Sequence, residues 1–334
     1  MYPPSPMAEL IDQPREERSD ALYTVVAGEG DGFLLAMAAG DTAGGAWELG
    51  YSATTEQATM IAYELITHRE IDRDRLVAAL LEMDGAGGEE PVYRAESPEF
   101  RMWLDRATAG RPVAGEEVSL DAAPRAAVVG VAYRRQPDQV VDRAVELGRL
   151  FHSDAGSIAA GVITAAAVAA SCFAQSGLDL VVGVAEAVKP AIGALGSGLS
   201  GVDRLASIPD EMKGLVPLVG VTSGEEALAR VGGDREDPIQ LILAGLVLAA
   251  PVAPRHHGPI EQAARIGGSR LGAAVGAMVG ARVGLRAWPW AFANDTWFAE
   301  IGRRLVRGPD EVRDLPIPYA VEQHLMSGSA PGFR

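Results

Sequence analysis

The chain has 334 residues, 48% of them hydrophobic, which is enough for one sizeable core. Aromatic residues are only 6% while Ala and Gly abound, and that balance favours closely spaced helices over a sandwich of aromatic and β-branched strands. A net charge of −16, with no cluster of Lys and Arg to override it, repels phosphate backbones and excludes nucleic acid as a partner.

Residues 1 to 22 have neither a basic n-region nor an apolar h-region, so they read as a loose tail rather than a signal peptide or anchor. Residues 32 to 39 (GFLLAMAA) form an apolar helix, and the glycines of GDTAGG at 40 to 45 turn it into a loop. The next helix begins near Thr55, with apolar residues at 58, 61, 62, 65 and 66, an N-cap at Thr54 or Thr55, and Glu56 in its first turn. Residues 72 to 83 are amphipathic and helical, 84 to 98 read as a surface loop, and 101 to 108 are weakly helical. Two helices, 122 to 134 and 137 to 150, are split at Gln136-Pro137.

The run from 158 to 174 is apolar but made of small residues, and it ends in Gln175 and Ser176, so it predicts a buried core helix and no membrane span. Within it lies the chain's one cysteine, Cys172, which reads as a small buried side chain, allows no internal disulfide and fits a cytoplasmic protein. Residues 193 to 201 (GALGSGLSG) read as a flexible loop followed by poorly periodic sequence up to 233. Residues 239 to 250 are apolar all round, 260 to 266 lead into a glycine-rich stretch, and 297 to 306 offer a last short helix. The pattern predicts a single all-α domain over about residues 23 to 308, with 309 to 334 as a second tail.

The stretch from 265 to 284, RIGGSRLGAAVGAMVGARVG, organises the rest. Glycines at 272, 276, 280 and 284 recur every fourth residue, and only a helix turns that spacing into one smooth ridge. Each interior Gly costs roughly 1 kcal/mol against Ala, so four in register predict close approach by neighbouring backbones. Arg265, Arg270, Arg282 and Arg286 argue against reading the ridge as a membrane dimerisation face. The helix starts after Gly267-Gly268, which aims its first amides and positive dipole end at the preceding loop.

Three segments in order resemble the ADP-ribosylglycohydrolase family, which includes hydrolases of protein-attached ADP-ribose and the non-enzymatic J1 crystallins. GFLLAMAAGDTAGGAWE from Gly32 is similar to the family's opening helix and G-D-A-x-G-x-x-x-E loop; TEQATM from Thr55 stands in place of T-D-D-T-x-M; GGSRLG from Gly267 stands in place of G-G-D-T-D-T. The resemblance implies an all-α fold and, in typical members, two Mg²⁺ ions held by oxygen ligands from the second and third motifs. Carried over, Thr55 matches, Glu56 and Gln57 replace two Asp, and Ser269, Leu271 and Gly272 stand where Asp, Asp and Thr would be. Of four carboxylates only Glu56 survives, which predicts loss of the dinuclear site and no metal cofactor. SLDAAPR at 119 to 125 takes the place of the family's asparagine-glycine stretch and keeps Arg125.

The resemblance makes Asp41, Glu48, Thr55, Glu56, Gln57, Arg125, Ser269 and Arg270 the candidate site. Glu48 matches the family's loop glutamate and has two readings: a solvated loop residue, or a carboxylate that positions water or stabilises an oxocarbenium-like centre beside a sugar C1. Asp41 reads first as a turn-capping aspartate and Glu56 as a complement to the helix dipole. Arg270 places a fixed positive charge where the cations would sit, pairing with Glu48 or Glu56 or with a phosphate or carboxylate partner.

His152-Ser153-Asp154 lists triad residue types, but sequence neighbours point apart. His256-His257 lacks further ligands at metal spacing. The implied function is binding of ADP-ribose or a related nucleotide, or a structural role like that of the crystallins. The rival is a metal-independent N-glycosyl hydrolase using Glu48, with Arg270 supplying the charge that Mg²⁺ would.

Overall fold

The computed structural model describes residues 30, 32–45, 51–86, 92–111, 114–195, 199–251, 256–288, 290, 294–307, 316, 318 and 321. Residues 1 to 22, Glu48 and most of 309 to 334 therefore lie outside the described residues. Among the described residues there are 13 α-helices and no strand, only isolated bridges at Gly115–His152 and Asp154–Ser200. In chain order they are α1 (Phe33–Gly44), α2 (Ala53–His68), α3 (Arg73–Gly85), α4 (Pro98–Thr108), α5 (Ala122–Ala132), α6 (Pro137–Phe151) and α7 (Ala155–Ser171). They continue with α8 (Gly177–Ala194), α9 (Ile208–Gly214), α10 (Gly224–Val231), α11 (Pro238–Ala249), α12 (Gly258–Val283) and α13 (Asp295–Arg307). No described helix is long and apolar enough to cross a membrane.

The centre of the molecule is an antiparallel pair, α1 against the second half of α12. From Leu271 to Ala281 every residue of α12 is buried, and so is α1 from Phe33 to Asp41. Both helices carry a small residue every fourth position: Gly32, Ala36, Gly40 and Gly44 face Gly284, Gly280, Gly276, Gly272 and Ser269 in reverse order. A Cβ on Gly272 would overlap the carbonyl oxygen of Gly40, and one on Gly276 the carbonyl oxygen of Ala36. One on Gly40 would overlap that of Gly272. The two backbones touch. Close contact along both helices recovers in dispersion what the glycines cost in helix propensity.

Around this pair, α12 also packs on α11, α5 and α7, and α7 packs on α5, α6 and α8. The ridge helix does start after Gly268, whose φ of 67° and ψ of −160° break the helix there, although residues before the break are helical too.

Several sequence expectations change. Residues 40 to 44 are helix, not loop, because Gly40 and Gly44 are contact points for α12 rather than breakers. The N-cap of α2 is Ser52, whose hydroxyl accepts from Thr54 N–H, instead of Thr54 or Thr55. Val92 and Tyr93, expected in a surface loop, are buried in the core, with the Tyr93 hydroxyl donating to Leu80 O at 2.9 Å. Cys172 is half-buried rather than buried, since it caps the C-terminus of α7. The helix α8 went unread, and the weakly periodic region after it holds α9, α10 and two 3₁₀ turns. Part of the second tail lies against the domain: Tyr63 donates its hydroxyl to Pro316 O at 2.5 Å and Val321 is buried.

Candidate functional site

Three helix starts build the site: the N-termini of α2 and α5, and the ridge helix after Gly268. At the first, Asp41 on α1 is fully buried and closes the ends of residues 42 to 51 together. It accepts from Ser52 N–H at 2.8 Å, from the Ser52 hydroxyl at 2.9 Å and from the Thr55 hydroxyl at 2.7 Å. Burial pushes its carboxyl up to about 6, against the pull of those donors. Thr55 thus spends its hydroxyl on Asp41.

Glu56, one residue on, has its carboxylate engaged by Arg94: it accepts the Arg94 N–H at 3.0 Å and pairs with the guanidinium at 3.5 Å. The Arg94 carbonyl in turn accepts Ala53 N–H at 2.6 Å, so residues 92 to 95 fold over the start of α2. Nothing in the sequence spacing singled out Arg94.

Gln57 accepts from Arg125 Nε at 2.6 Å. Arg125 is the hub of a buried cluster: its Nη1 donates to His152 Nε2 at 3.2 Å, and its Nη2 lies 3.8 Å from Asp121 Oδ2. Its guanidinium sits 4.2 Å from the centroid of the Phe151 ring and 5.5 Å from that of Phe100, an aromatic sandwich extended by Trp103. Burial lowers the Arg125 pKa to about 10, which leaves it charged at neutral pH.

Asp121 accepts the Ser97 hydroxyl at 2.9 Å and forms an ion pair with Arg270 Nε. Burial alone would raise its carboxyl, but Arg125, Arg270 and Ser97 outweigh that and hold it below the usual range. Arg270 is therefore paired with Asp121 rather than with Glu56, which Arg94 takes; Glu48 lies outside the described residues. The reach is possible because the ridge helix and α5 both begin here.

Burial and the charge of Arg125 lower the His152 pKa to about 3, so the ring is neutral. Its Nε2 accepts from Arg125. A depressed histidine contributes stability that is complete above its unfolded pKa near 6.5 and is lost as pH falls towards 3. His152→Gln keeps an acceptor for Arg125 without a titrating ring. Its unfolding free energy should fall less steeply than wild type between pH 6.5 and 4, by up to about 1.4 kcal/mol per pH unit. Denaturant melts at three pH values check this, and parallel curves would contradict it. Asp41 slopes the other way in both proteins, so only the difference is read.

The depression beside this cluster, lined by Glu99, Phe100, Trp103, Glu117, Arg125 and His152, has free space for about one water molecule. Asp154, suggested as part of a triad, instead caps α7 through Ser157 N–H at 2.7 Å. His257 stacks edge-on against Trp290 at 4.5 Å.

The residues present do not fit the pair of Mg²⁺ ions that the family implies. Leu271 is fully buried, with Gly245 and Gly267 against its side chain, and Gly272 has none to offer. Thr55, Glu56 and Gln57 are each committed within the chain. Among the described residues no three His, Cys, Asp or Glu side chains converge as a metal site. Hard divalent ions need several anionic oxygens to replace their water, and here the carboxylates of Asp41, Glu56 and Asp121 are taken up by hydroxyl, amide and guanidinium donors of the chain itself.

Comparison with known proteins bears on the fold. One solved structure, described as an ADP-ribosylglycohydrolase-related protein complex, is similar with a TM-score of 0.59 at 18% identity, covering 84% of this chain and 97% of that one. At that identity the likeness shows the fold alone. No curated protein matches the chain. A family model described as ADP-ribosylglycohydrolase matches residues 27–314, from before α1 to beyond α13 and so across all three helix starts, and the chain belongs to that family.

Proposed function

We propose that this protein binds an ADP-ribosyl or adenine-nucleotide ligand in the family's cleft without dinuclear magnesium, and works by binding rather than by metal-dependent hydrolysis. The observation that carries the reading is that the carried-over ligand positions have partners inside the chain: Glu56 is met by Arg94 and Gln57 by Arg125, while Arg270, between the third motif's ligand positions, pairs with Asp121. The reading places the protein in the cytoplasm.

The test is a thermal-shift series with ADP-ribose, NAD, AMP and adenosine, each in EDTA and in millimolar Mg²⁺, with product analysis. At a hundredfold excess over Kd, ligand binding stabilises by about 2.7 kcal/mol, so ADP-ribose should raise Tm by roughly 4 °C equally in both buffers and be recovered intact. If none of the ligands moves Tm, the role is structural. Turnover of an N-glycosyl substrate in EDTA that Glu48→Gln abolishes would instead establish the hydrolase alternative.

A further inference from the structure

Gln57 and Arg270 stand in the two motifs from which the family draws its metal ligands, and both present donors. Gln57 is only 3% exposed. Its amide oxygen faces Arg125 Nε at 2.6 Å, which fixes the orientation of the group, because the flipped amide would set one donor against another. The amino group that remains has no acceptor among the described residues. Arg270, in the first turn after the Gly268 break, forms an ion pair with Asp121 on the Nε side and makes no ion pair or hydrogen bond with any other described residue, on a side chain 38% exposed. Arg125 and Asp121 join the two into one contiguous network. Two guanidinium groups, those of Arg125 and Arg270, share the one Asp121 carboxylate. Glu56 is already matched by Arg94. Glu99 and Glu117 line the depression around Arg125 and His152.

We infer that this end of the cleft has inverted its polarity: it takes the phosphate oxygens of a diphosphate-bearing ligand directly on the Gln57 amino group and the Arg270 guanidinium, with no metal ion between. A carboxylate at position 57 offers lone pairs to a cation; an amide held by Arg125 offers N–H groups to an anion. The inference rests on the reading that the cleft binds a nucleotide-type ligand, and it names the part of that ligand recognised at this position.

The experiment is calorimetry in EDTA with the full chain, titrated with ADP-ribose, ADP, adenosine and pyrophosphate, for wild type, Gln57→Glu, Arg270→Met and Arg270→Lys. Gln57→Glu and Arg270→Met should each weaken ADP and ADP-ribose at least about tenfold, the loss expected for a charge-assisted hydrogen bond. Adenosine affinity should stay unchanged, Arg270→Lys should keep most of the ADP affinity, and pyrophosphate should displace ADP. If ADP-ribose binds wild type, Gln57→Glu and Arg270→Met alike, the inference is overturned while the ligand-binding reading stands. Equal weakening of adenosine and ADP would also overturn it, as the signature of general damage. If neither ADP nor ADP-ribose binds wild type, the ligand-binding reading falls and the inference with it.

Discussion

Adding one methyl group at Gly276 should destabilise the protein by about 3 kcal/mol or more, at the upper end for overpacked cores. In an ordinary helix interior the change from Gly to Ala stabilises by up to about 1 kcal/mol. Here the new Cβ would overlap the carbonyl of Ala36, which is backbone of a helix that is itself buried, so neither partner can swing aside. Relief requires α1 and α12 to separate along their whole length, which loosens every other glycine contact in the pair. Gly183, in the interior of α8, is the control: its Cβ would meet only Ala170 Cβ at an ordinary 3.8 Å. Gly183→Ala should therefore raise the denaturant midpoint while Gly276→Ala lowers it. A midpoint for Gly276→Ala at or above wild type would show that the two backbones are not in contact.

The second large effect is expected at Arg125. Arg125→Met fills much of the aromatic sandwich between Phe100 and Phe151, yet it strips the donors from Gln57 and His152 and one of two cations from buried Asp121. Breaking a buried ion pair from one side costs about 3 to 5 kcal/mol, because the remaining charge stays desolvated. Arg270 still pairs with Asp121, which argues for the lower end. Chemical denaturation at pH 7 measures the cost, and a change below about 1 kcal/mol would mean that water serves these groups as well as Arg125 does.

The contrast between fold and site in the sequence has a physical cause. Helix periodicity is local, so α2, α3, α6 and α11 could be read from their own residues, and the ridge could be read from glycine spacing. The matching stripe on α1, from Gly32 to Gly44, has the same spacing, but its glycines look like breakers until the partner helix is present. In α8, Pro190 and three glycines masked a helix that its capping box at Ser176 and Asp179 could have announced. In the site, the motif positions of Thr55, Glu56 and Gln57 were legible, while their partners were not. Asp41, Arg94 and Arg125 come from three different elements, and no spacing in one segment reports a meeting in space. Asp121 lay inside a quoted motif without a role, because its pairing with Arg270 depends on the convergence of two helix starts. Leu271 and Gly272 stand where the family resemblance puts an Asp and a Thr. Restoring Asp and Thr there would bury a charge in the core and overlap Gly40, so those two changes would damage the scaffold before any cage could form.

The measurement that tests the account most directly is calorimetric titration of Mg²⁺ into the purified chain, alone and saturated with ADP-ribose. No saturable heat is expected up to millimolar Mg²⁺ in either case, and the ADP-ribose affinity should be the same in EDTA and in Mg²⁺. Saturable binding of two Mg²⁺ per chain, or ADP-ribose binding that vanishes in EDTA, would contradict it.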